Sequence, residues 1–233
     1  MKQYIYETIL LFYSGLNRVL KPVNKNKFII REIEPVSRKF GIDRGKPIDR
    51  YYIEKFMKSN RKYIKGVCLE VGDSRYTKQF GTKVIVSDVL DVNQNNKQAN
   101  IIADLRDLSN VRSNTYDCII LTQVIGMIDD LDRVVSECNR VLKTDGVLLI
   151  TTSAIAPQID FNFSFWRFTE KSLAYLLRKR FQKKNTIICS YGNAYIGQGI
   201  WLGLALEDIN MSVINKHDKQ FQCIVAARAI KHT

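Results

Sequence analysis

The chain has 233 residues, of which 45% are hydrophobic, and a formal net charge of +13 at pH 7. This length and apolar content suffice to bury the core of one domain. No stretch approaches the roughly 18 uninterrupted apolar residues of a transmembrane helix, so we expect no membrane-spanning segment. The excess of Lys and Arg predicts attraction to nucleic acid, acidic lipid headgroups or phosphorylated substrates. A coding bias toward Lys would produce the same charge.

The cysteine pattern argues against a disulfide framework and against a zinc site. The 5 cysteines are odd in number, show no C-x-x-C spacing and lie mostly in apolar runs. They predict reduced, buried thiols in a cytoplasmic protein that binds no metal. These residues are Cys68, Cys118, Cys138, Cys189 and Cys223.

We predict that residues 1–40 form an extension and that residues 41–233 form the main domain. Residues 1–20 place apolar side chains at helical spacing, and the Lys21-Pro22 pair ends this helix. Such an amphipathic helix docks on the domain or on a second copy of the chain, giving a homodimer. Alternatively, it lies in a membrane interface, because basic residues follow it and attract anionic lipid. Those residues are Lys21, Lys25, Lys27 and Arg31.

The first chemical signal is a short apolar run that ends in a glycine. Residues 67–71 (V-C-L-E-V) lie between Gly66 and Gly72, which is typical of a strand buried on both faces of a parallel sheet. Glu70 interrupts the run, and a buried carboxylate needs a partner in the fold or in a ligand. Gly72 lets backbone approach a bound molecule, and ligands of open α/β sheets bind beyond the carboxyl ends of strands. The segment therefore predicts a binding site.

Polar residues also end the next three predicted strands. The second strand ends in Asp88, whose carboxylate can accept hydrogen bonds from both hydroxyls of a ribose, and Asp91 is a weaker alternative for that role. The third and fourth strands end in Asp104 and Gln123. A single Asp at such a place is more often a turn or helix cap. Four strands with polar ends at one edge nevertheless predict a site.

These strand ends and several other segments resemble the class I S-adenosylmethionine-dependent methyltransferases. Within that family, the sequence is most similar to type 11-like members associated with bacterial surface-glycan biosynthesis. The resemblance runs from about residue 41 to residue 229 and rests on residues 44–52, 69–73, 87–88, 103–105, 116–123, 140–146, 166–169 and 217–218. One departure is that the usual glycine-rich loop after the first strand is reduced to residues 72–76 (G-D-S-R-Y).

The resemblance implies a doubly wound, Rossmann-like α/β sheet with S-adenosylmethionine as cofactor. The sheet would be mostly parallel, with an antiparallel last strand and helices on both faces. Backbone N–H groups of the short helix after Gly72 would face the methionine carboxylate. Asp104 would accept a hydrogen bond from the adenine amino group, and Leu105 would cover the base. The implied cofactor-binding residues are Tyr51, Glu70, Gly72, Asp73, Asp88, Asp104, Leu105 and Gln123.

Two segments are candidates for contact with the acceptor. Arg44 and Arg50 flank the start of the predicted helix before the first strand, and an arginine fork suits a phosphate or a carboxylate. The loop 153–169 is rich in aromatic residues and contains Trp166 and Arg167, which could hold a sugar or an aromatic acceptor. The alternatives are that charges in the first turn of the helix are solvated and that the aromatic residues bury themselves under the loop.

The sixth and seventh predicted strands, at residues 186–190 and 221–227, are joined by a connection longer than a hairpin needs. We interpret residues 192–218 as a lid-like insertion with a helix at residues 201–209. If the last strand is antiparallel to the others, its start lies at the edge where the other strands end.

His217 and Asp218 stand immediately before that last strand and are the predicted catalytic residues. Methyl transfer to a hydroxyl requires removal of a proton, and an imidazole has a suitable pKa. Asp218 or another carboxylate would orient the ring. The alternative is a structural histidine whose nitrogens are satisfied within a turn.

We therefore predict an enzyme that transfers a methyl group from S-adenosylmethionine to a hydroxyl of a sugar in a bacterial polysaccharide or its lipid- or nucleotide-linked precursor. The acceptor rests on the resemblance alone. One alternative is an RNA methyltransferase, which the charge favours, although no RNA-binding module or basic-aromatic motif is present and we expect neither RNA nor DNA as a partner. Another is an inactive methyltransferase-fold scaffold in a glycan assembly complex. The expected location is the cytoplasm, with peripheral contact at the inner membrane face if the N-terminal helix is an anchor.

Overall fold

The structure is a computed structural model that describes residues 13, 15–17, 19–20, 22, 34–158 and 164–232. The described residues belong to two compact units. The first unit falls within residues 1–52, 155–158 and 190–224, and the second within residues 53–154, 159–189 and 225–233. Most of the predicted N-terminal helix lies outside the described residues, as do the basic residues after it and two aromatic residues of the loop after the fifth strand, Phe161 and Phe163.

A seven-stranded sheet carries the order β3-β2-β1-β4-β5-β7-β6. Its strands are β1 (Gly66–Val71), β2 (Val84–Asp91), β3 (Ile101–Ile102), β4 (Tyr116–Thr122), β5 (Leu142–Ser153), β6 (Thr186–Tyr191) and β7 (Ile224–Ile230). The strand order runs outward from β1 in both directions, so a topological switch point lies between β1 and β4. Open α/β sheets bind their ligands at such a point.

The predicted strand directions are confirmed. β1 pairs in parallel with both β2 and β4, β2 with β3, and β4 with β5. β7 runs against both of its neighbours. At its end, Lys231 N donates to the oxygen of Gly146 near the start of β5, at 2.9 Å, and at its start Cys223 N donates to the oxygen of Tyr191 at the end of β6, at 2.8 Å. The fold is therefore the expected mostly parallel, Rossmann-like sheet.

Helices connect the strands, and their boundaries follow capping residues. They are α1 (Ile48–Asn60), α2 (Arg75–Phe80), α3 (Leu131–Val141), α4 (Glu170–Leu177) and α5 (Ala194–Trp201). Asp130 caps α3 by accepting a hydrogen bond from Arg133 N at 3.1 Å. Thr169 and Ser172 form a capping box at the start of α4. Both caps satisfy N–H groups that have no partner within the helix.

The main core of the second unit lies around β4, whose residues Cys118, Ile119, Ile120 and Leu121 are all fully buried. α3 packs one apolar face toward this core through Val134, Val135, Cys138 and Val141. Each fully buried aliphatic side chain of this size stabilises the fold by about 1.5–3 kcal/mol. Burial on both faces explains why the central strands are continuous apolar runs in the sequence.

The first unit has an apolar cluster of its own. Its buried members come from α1, from the segment around α5 and from the residues before β7, and they are Ile48, Tyr52, Ile196, Leu204, Ile209, Ile214, Cys223 and Ile224. The Tyr52 hydroxyl donates to the oxygen of Ile214 at 2.8 Å, so the polar tip of this buried ring has a partner.

Two predicted elements have different bounds in the structure. The helix predicted at residues 201–209 is wrong, because the helix of this segment is α5 and ends at Trp201. Asn193 starts α5 by accepting a hydrogen bond from Ile196 N, and Gly203 follows it with φ +67°. β2 extends to Asp91 rather than ending at Asp88.

Among the described residues, no helix is long and apolar enough to cross a membrane. The same residues contain no group of three or more His, Cys, Asp or Glu side chains arranged to hold a metal ion.

Candidate functional site

The predicted site lies at the carboxyl end of β1. Gly72 follows the strand with φ +85°, a conformation that side-chain-bearing residues rarely adopt, and a Cβ placed on it would meet nothing within 4 Å. Its N–H donates to the oxygen of Leu90 on β2 at 2.9 Å. The turn is therefore held by the neighbouring strand and opens onto free space beside the switch point.

Glu70 finds its partner within the fold. Its carboxylate is 1% exposed and accepts hydrogen bonds from Tyr76 N at 3.0 Å and Thr77 N at 2.8 Å. Burial raises the pKa of Glu70, and the two backbone N–H groups partly oppose that shift. Of the two alternatives for this residue, the structure supports the internal partner, so Glu70 shapes the short loop from beneath instead of meeting a ligand directly.

The same contacts correct the prediction for the start of α2. Its N–H groups were expected to face a methionine carboxylate, but Glu70 occupies those of Tyr76 and Thr77. Asp73 accepts a hydrogen bond from Arg75 N at 2.8 Å. The backbone N–H groups of the reduced glycine loop and the start of α2 thus donate to carboxylates of the chain itself. The predicted contact of Asp73 with the cofactor stays a prediction.

The carboxylate predicted to bind ribose lies within β2 instead of at its end. Asp88 accepts hydrogen bonds from Asn100 Nδ2 at 2.7 Å and from the Tyr116 hydroxyl at 3.1 Å. Burial and the nearby Asp88 carboxylate raise the pKa of Tyr116. Both oxygens of Asp88 are thus engaged within the fold.

Asp91 occupies the strand end that the ribose role requires. Its Oδ1 accepts a hydrogen bond from Asn93 N at 2.9 Å. Its Oδ2 accepts one from Asn96 Nδ2 at 2.6 Å, and the same nitrogen donates to the oxygen of Gly72 at 2.6 Å. One side-chain amide therefore joins the Gly72 turn to Asp91. The weaker sequence candidate is the better placed one, because the strand continues for three residues beyond Asp88.

The segment after β3 carries an ion pair. Arg106 donates from Nε and from a terminal nitrogen to Asp104, at 3.0 and 2.7 Å, and reaches Asp129 at 2.7 Å. The Arg106 side chain lowers the pKa of Asp104. Leu105, predicted to cover adenine, is 3% exposed and belongs to the core. The adenine contacts of Asp104 and Leu105 stay predictions.

Gln123 ends β4 in an unusual conformation. Its backbone has φ +58°, and its N–H donates to the oxygen of Thr151 at 2.8 Å. Its Oε1 accepts from the Ser153 hydroxyl at 2.9 Å. Its buried Nε2 finds no partner within the described part of the chain, and neither does the hydroxyl of Thr151. Left-handed backbone at a bulky residue is costly and concentrates at functional sites.

Ser153 and Thr151 were not predicted as site residues. They end β5 beside Gln123, and the only sequence signal for them is the polar run of residues 151–153 (T-T-S) after an apolar strand. The structure thus brings the ends of two neighbouring strands together around one unsatisfied amide donor.

The aromatic loop after β5 returns to the segment after β4. The N–H groups of Phe165 and Trp166 both donate to the oxygen of Gly126 at 3.0 Å, and Trp166 Nε1 donates to the oxygen of Ile128 at 2.9 Å. Trp166 is anchored yet 45% exposed, whereas Phe168 is 4% exposed. Arg167 donates to the oxygen of Trp166 at 3.0 Å. Trp166 and Arg167 are therefore held at this edge, and their contact with an acceptor stays a prediction.

The predicted acceptor residue Arg44 has a structural role instead. Its side chain is 1% exposed, and its fork binds Asp208 through Nε at 2.7 Å and through a terminal nitrogen at 3.0 Å. Bidentate pairing of this kind uses the face that would bind a ligand. Tyr51 donates its hydroxyl to Asn215 at 3.1 Å, and Arg50 is partly exposed on α1; the ligand contacts of both stay predictions.

His217 has partners other than the predicted carboxylate. Its Nδ1 lies 3.2 Å from the oxygen of Gly192, and its Nε2 lies 3.3 Å from the Ser190 hydroxyl. A carbonyl only accepts, so Nδ1 carries the proton and Nε2 accepts from Ser190. Asp218 accepts from Gln220 N at 2.9 Å. Its predicted role as the orienting residue is therefore taken by the oxygen of Gly192.

Comparisons with known proteins agree with this geometry. Residues 69–150 match the family model of a methyltransferase domain. A methyltransferase from Archaeoglobus fulgidus, dependent on S-adenosylmethionine, has 15% identity and a TM-score of 0.53, covering 78% of this chain and 94% of its own. The N-methyltransferase NodS from Bradyrhizobium japonicum WM9 has 11% identity and a TM-score of 0.51, covering 79% of this chain and 96% of its own.

The same fold also carries other chemistry. The [4+2]-cyclase SpnF has 13% identity and a TM-score of 0.50, covering 78% of this chain and 81% of its own. No curated protein matches the sequence. At such low identities, the structural likeness shows the fold alone.

The matched segment contains the residues that fit S-adenosylmethionine. The open Gly72 turn gives backbone access, Asp91 offers an acceptor at the end of β2, and Gln123 offers a buried donor. They stand on either side of the switch point, where ligands of such sheets bind. Residues 69–150 therefore match a methyltransferase domain, and S-adenosylmethionine is the cofactor that this match and the fold support.

Proposed function

We propose that the chain methylates a hydroxyl of a sugar, in a polysaccharide or in its lipid- or nucleotide-linked precursor. The observation that best supports methyl transfer at this site is Gln123, whose strained backbone holds an unsatisfied donor at the end of β4. The sugar acceptor draws on the resemblance to glycan-associated members of the family. Trp166 adds to it, because a half-exposed aromatic ring with an anchored indole suits the apolar face of a sugar.

The proposed site residues have two roles: some position the cofactor and the acceptor, and one removes a proton. When bound, S-adenosylmethionine would supply an electrophilic methyl group for transfer to the acceptor oxygen. In the proposed complex, Asp91 accepts hydrogen bonds from the ribose hydroxyls of the cofactor. Gln123 donates a hydrogen bond from its Nε2 to the bound ligand. Ser153 fixes the orientation of the Gln123 amide through Oε1. Positioning is the main protein contribution to such a displacement.

His217 is the proposed base for the acceptor hydroxyl, together with Ser190 as its neighbour in place of Asp218. The lone pair of Nε2 accepts a hydrogen bond from the Ser190 hydroxyl in the structure. Rotation of that hydroxyl would free the lone pair to accept the proton of the acceptor hydroxyl. His217→Ala should lower the turnover number about 100-fold or more and leave cofactor affinity within about twofold. Unchanged turnover would remove His217 from the mechanism.

Calorimetry with S-adenosylmethionine and S-adenosylhomocysteine tests the cofactor site directly. We expect the wild type to bind, and Asp91→Asn to bind at least about tenfold more weakly, because a charged hydrogen-bond acceptor contributes about 1.5–3 kcal/mol. Asp88→Asn is the matched control and should retain affinity within about threefold. The opposite order of the two variants would return the ribose role to Asp88.

A non-catalytic scaffold is the second candidate. The observation that favours it is that the backbone donors of the loop after β1 are bound internally by Glu70 and Asp73. A well-folded wild type that binds neither S-adenosylmethionine nor S-adenosylhomocysteine would support the scaffold and overturn the enzyme. Salt-dependent binding of RNA, with methylation of RNA, would instead support the RNA methyltransferase that the charge favours.

A further inference from the structure

A cavity of about 380 Å³ lies entirely within the first unit. This volume falls in the usual range of small-molecule sites, about 300–1,000 Å³. Three segments of the chain line it: the residues before α1, the pair that follows β5, and the end of α5. The lining residues used below are Glu34, Ser37, Arg38, Phe40, Trp201 and Gly203.

The backbone contacts that shape the cavity are already made. Ser37 N donates to the oxygen of Leu202 at 3.1 Å, which joins the segment before α1 to the end of α5. Gly203 has φ +67°, and a Cβ on it would lie 2.0 Å from the oxygen of Ser37. Only glycine permits this approach, so the wall that carries Trp201 is fixed against Ser37.

Two aromatic residues contribute apolar surface to the cavity. Trp201, the last residue of α5, is 51% exposed. Phe40 has φ +55°, and left-handed backbone costs a bulky residue on the order of 1–3 kcal/mol. Exposed indole and strained phenylalanine both oppose stability, which indicates a function other than holding the fold.

The polar residues of the cavity can exchange partners at small cost. Glu34 and Arg38 form an ion pair in which each side chain is 73% exposed. A carboxylate accepts from two hydroxyls and a guanidinium donates to two oxygens, so each can pair with neighbouring hydroxyl groups. An aromatic wall next to these groups matches a pyranose ring, which has an apolar C–H face and a rim of hydroxyls.

We propose that this cavity binds a carbohydrate, with Trp201 against the ring face and Glu34 and Arg38 at the hydroxyl rim. The site consists of residues other than those proposed for methyl transfer and requires neither cofactor nor catalysis. It would allow the chain to hold a glycan independently of the methyl-transfer site, as a second point of attachment.

Saturation-transfer difference NMR on the full chain tests the proposal without S-adenosylmethionine. The probes are methyl β-glucopyranoside, methyl β-galactopyranoside and methyl α-mannopyranoside, with glycerol as the comparison ligand. We expect saturable transfer to the ring C–H face of at least one pyranoside. Trp201→Ala should weaken binding at least about tenfold, and Glu34→Gln about threefold.

Tyr175→Ala is the matched control, because Tyr175 is also an exposed helix aromatic, at 72%, and should bind the probe like the wild type. Circular dichroism confirms that each variant is folded. No saturable transfer from any pyranoside, equal binding by Trp201→Ala, or equal transfer to glycerol would each overturn the assignment. Pyranoside binding that Trp166→Ala loses and Trp201→Ala keeps would belong to the acceptor site of the proposed function, so a failure of either proposal can be told from a failure of the other.

Discussion

Gln123 combines a backbone that costs stability with a side chain suited to binding. Its φ of +58° places a non-glycine residue in the left-handed region, which costs on the order of 1–3 kcal/mol. A glycine at the same place would avoid that cost, yet would lose the amide that Ser153 orients. Strain that persists at a strand end beside an unsatisfied donor indicates selection for function over stability.

We therefore expect Gln123→Gly to raise the free energy of unfolding by about 1 kcal/mol and to lower methyl-transfer turnover at least about tenfold. Urea unfolding and transfer of labelled methyl to the acceptor measure the two effects. Lys83→Gly is the matched control, because Lys83 also has a positive φ, +57°, and an exposed side chain. It lies beside the start of β1, at the opposite end of the strand from the site. It should gain similar stability with unchanged turnover. Full activity in Gln123→Gly would contradict the assigned role.

The buried Glu70 leads to a prediction about how the free energy of unfolding depends on pH. Burial, the largest influence, raises its pKa above the ordinary 4.5. The folded state therefore holds a proton that the unfolded state has released, so this group's contribution is complete below about pH 4.5 and is lost as the pH rises through the folded-state pKa. Glu70→Gln cannot ionise and should lose about 1–3 kcal/mol through one broken hydrogen bond. The stability difference between wild type and variant should shrink as the pH rises.

Urea unfolding at about pH 5 and pH 8 measures this change. Glu137 supplies the opposite control, because the Arg140 side chain lowers its pKa. Its stabilising contribution is present above the unfolded-state pKa and is lost as the pH falls. The difference in unfolding free energy between wild type and Glu137→Gln should thus stay nearly constant from about pH 5 to pH 8 and fall only below about pH 4.5. Parallel pH profiles for wild type and Glu70→Gln would contradict the raised pKa.

The position of a residue at a strand end was predictable where the chemistry of that one residue is sufficient. Gly72 was placed correctly, since a glycine at the end of a buried apolar run has few other uses. Asp88 was chosen above Asp91 because its position relative to the strand end was judged from the apolar run alone. Ser153 was missed because a serine becomes informative only when a neighbouring strand supplies Gln123.

At the level of elements, the pair of Arg44 and Asp208 joins the segment before α1 to the turn after α5. The two side chains are 1% and 6% exposed. Removing one partner leaves a buried, uncompensated charge, so Arg44→Met should cost about 3–5 kcal/mol of unfolding free energy. Adding Asp208→Asn removes that charge while keeping an acceptor for Ala205 N, and should recover at least half of the loss.

Chemical denaturation of the single and double variants tests this pair. Lys179→Met is the comparison, because Lys179 and Asp132 form an ion pair with side chains that are 35% and 59% exposed. Such surface pairs contribute about 0–1 kcal/mol. A similarly small loss in Arg44→Met would show that the guanidinium is dispensable for the fold and would reopen its predicted contact with an acceptor.

The order of elements was predictable because each central strand is buried on both faces and therefore continuous in the sequence. β4 shows this most clearly, with four consecutive fully buried residues. The connection between β6 and β7 was harder, since its apolar residues do not distinguish α5 from the turns that follow. The decisive features are the Asn193 cap and Gly203, which act through local backbone geometry.

At the scale of the whole molecule, the fold indicates where a ligand binds but does not identify the acceptor. Seven strands in this order predict where a ligand binds, and residues 69–150 match a methyltransferase domain. The acceptor depends on a few side chains at that edge, and the same fold carries cyclase chemistry in SpnF. The acceptor therefore requires a direct experiment.

The chain has a net charge of +13, and basic residues follow the predicted N-terminal helix. This segment is therefore where binding to an anionic membrane can be tested. Val19 and Leu20, near the end of the predicted amphipathic helix, are 77% and 66% exposed. Apolar side chains followed by basic residues favour an anionic membrane surface over neutral lipid. Asn17 of the same helix bonds to Asp43 and Arg44, which fits docking on the domain. We propose that the exposed Val19 and Leu20 side chains add a peripheral contact with an anionic membrane surface.

Full-length protein should co-sediment with vesicles of mixed phosphatidylcholine and phosphatidylserine, and less so when the ionic strength rises from about 0.01 to 0.15 M, because screening shortens the range of attraction. The double variant Val19→Glu/Leu20→Glu should reduce binding at least about tenfold. Ile85→Glu is the matched control, since Ile85 is 81% exposed on β2, and it should bind like the wild type. Unchanged binding by the double variant would end the anchor proposal, whereas a lower oligomeric mass without lost vesicle binding would assign the helix to a dimer.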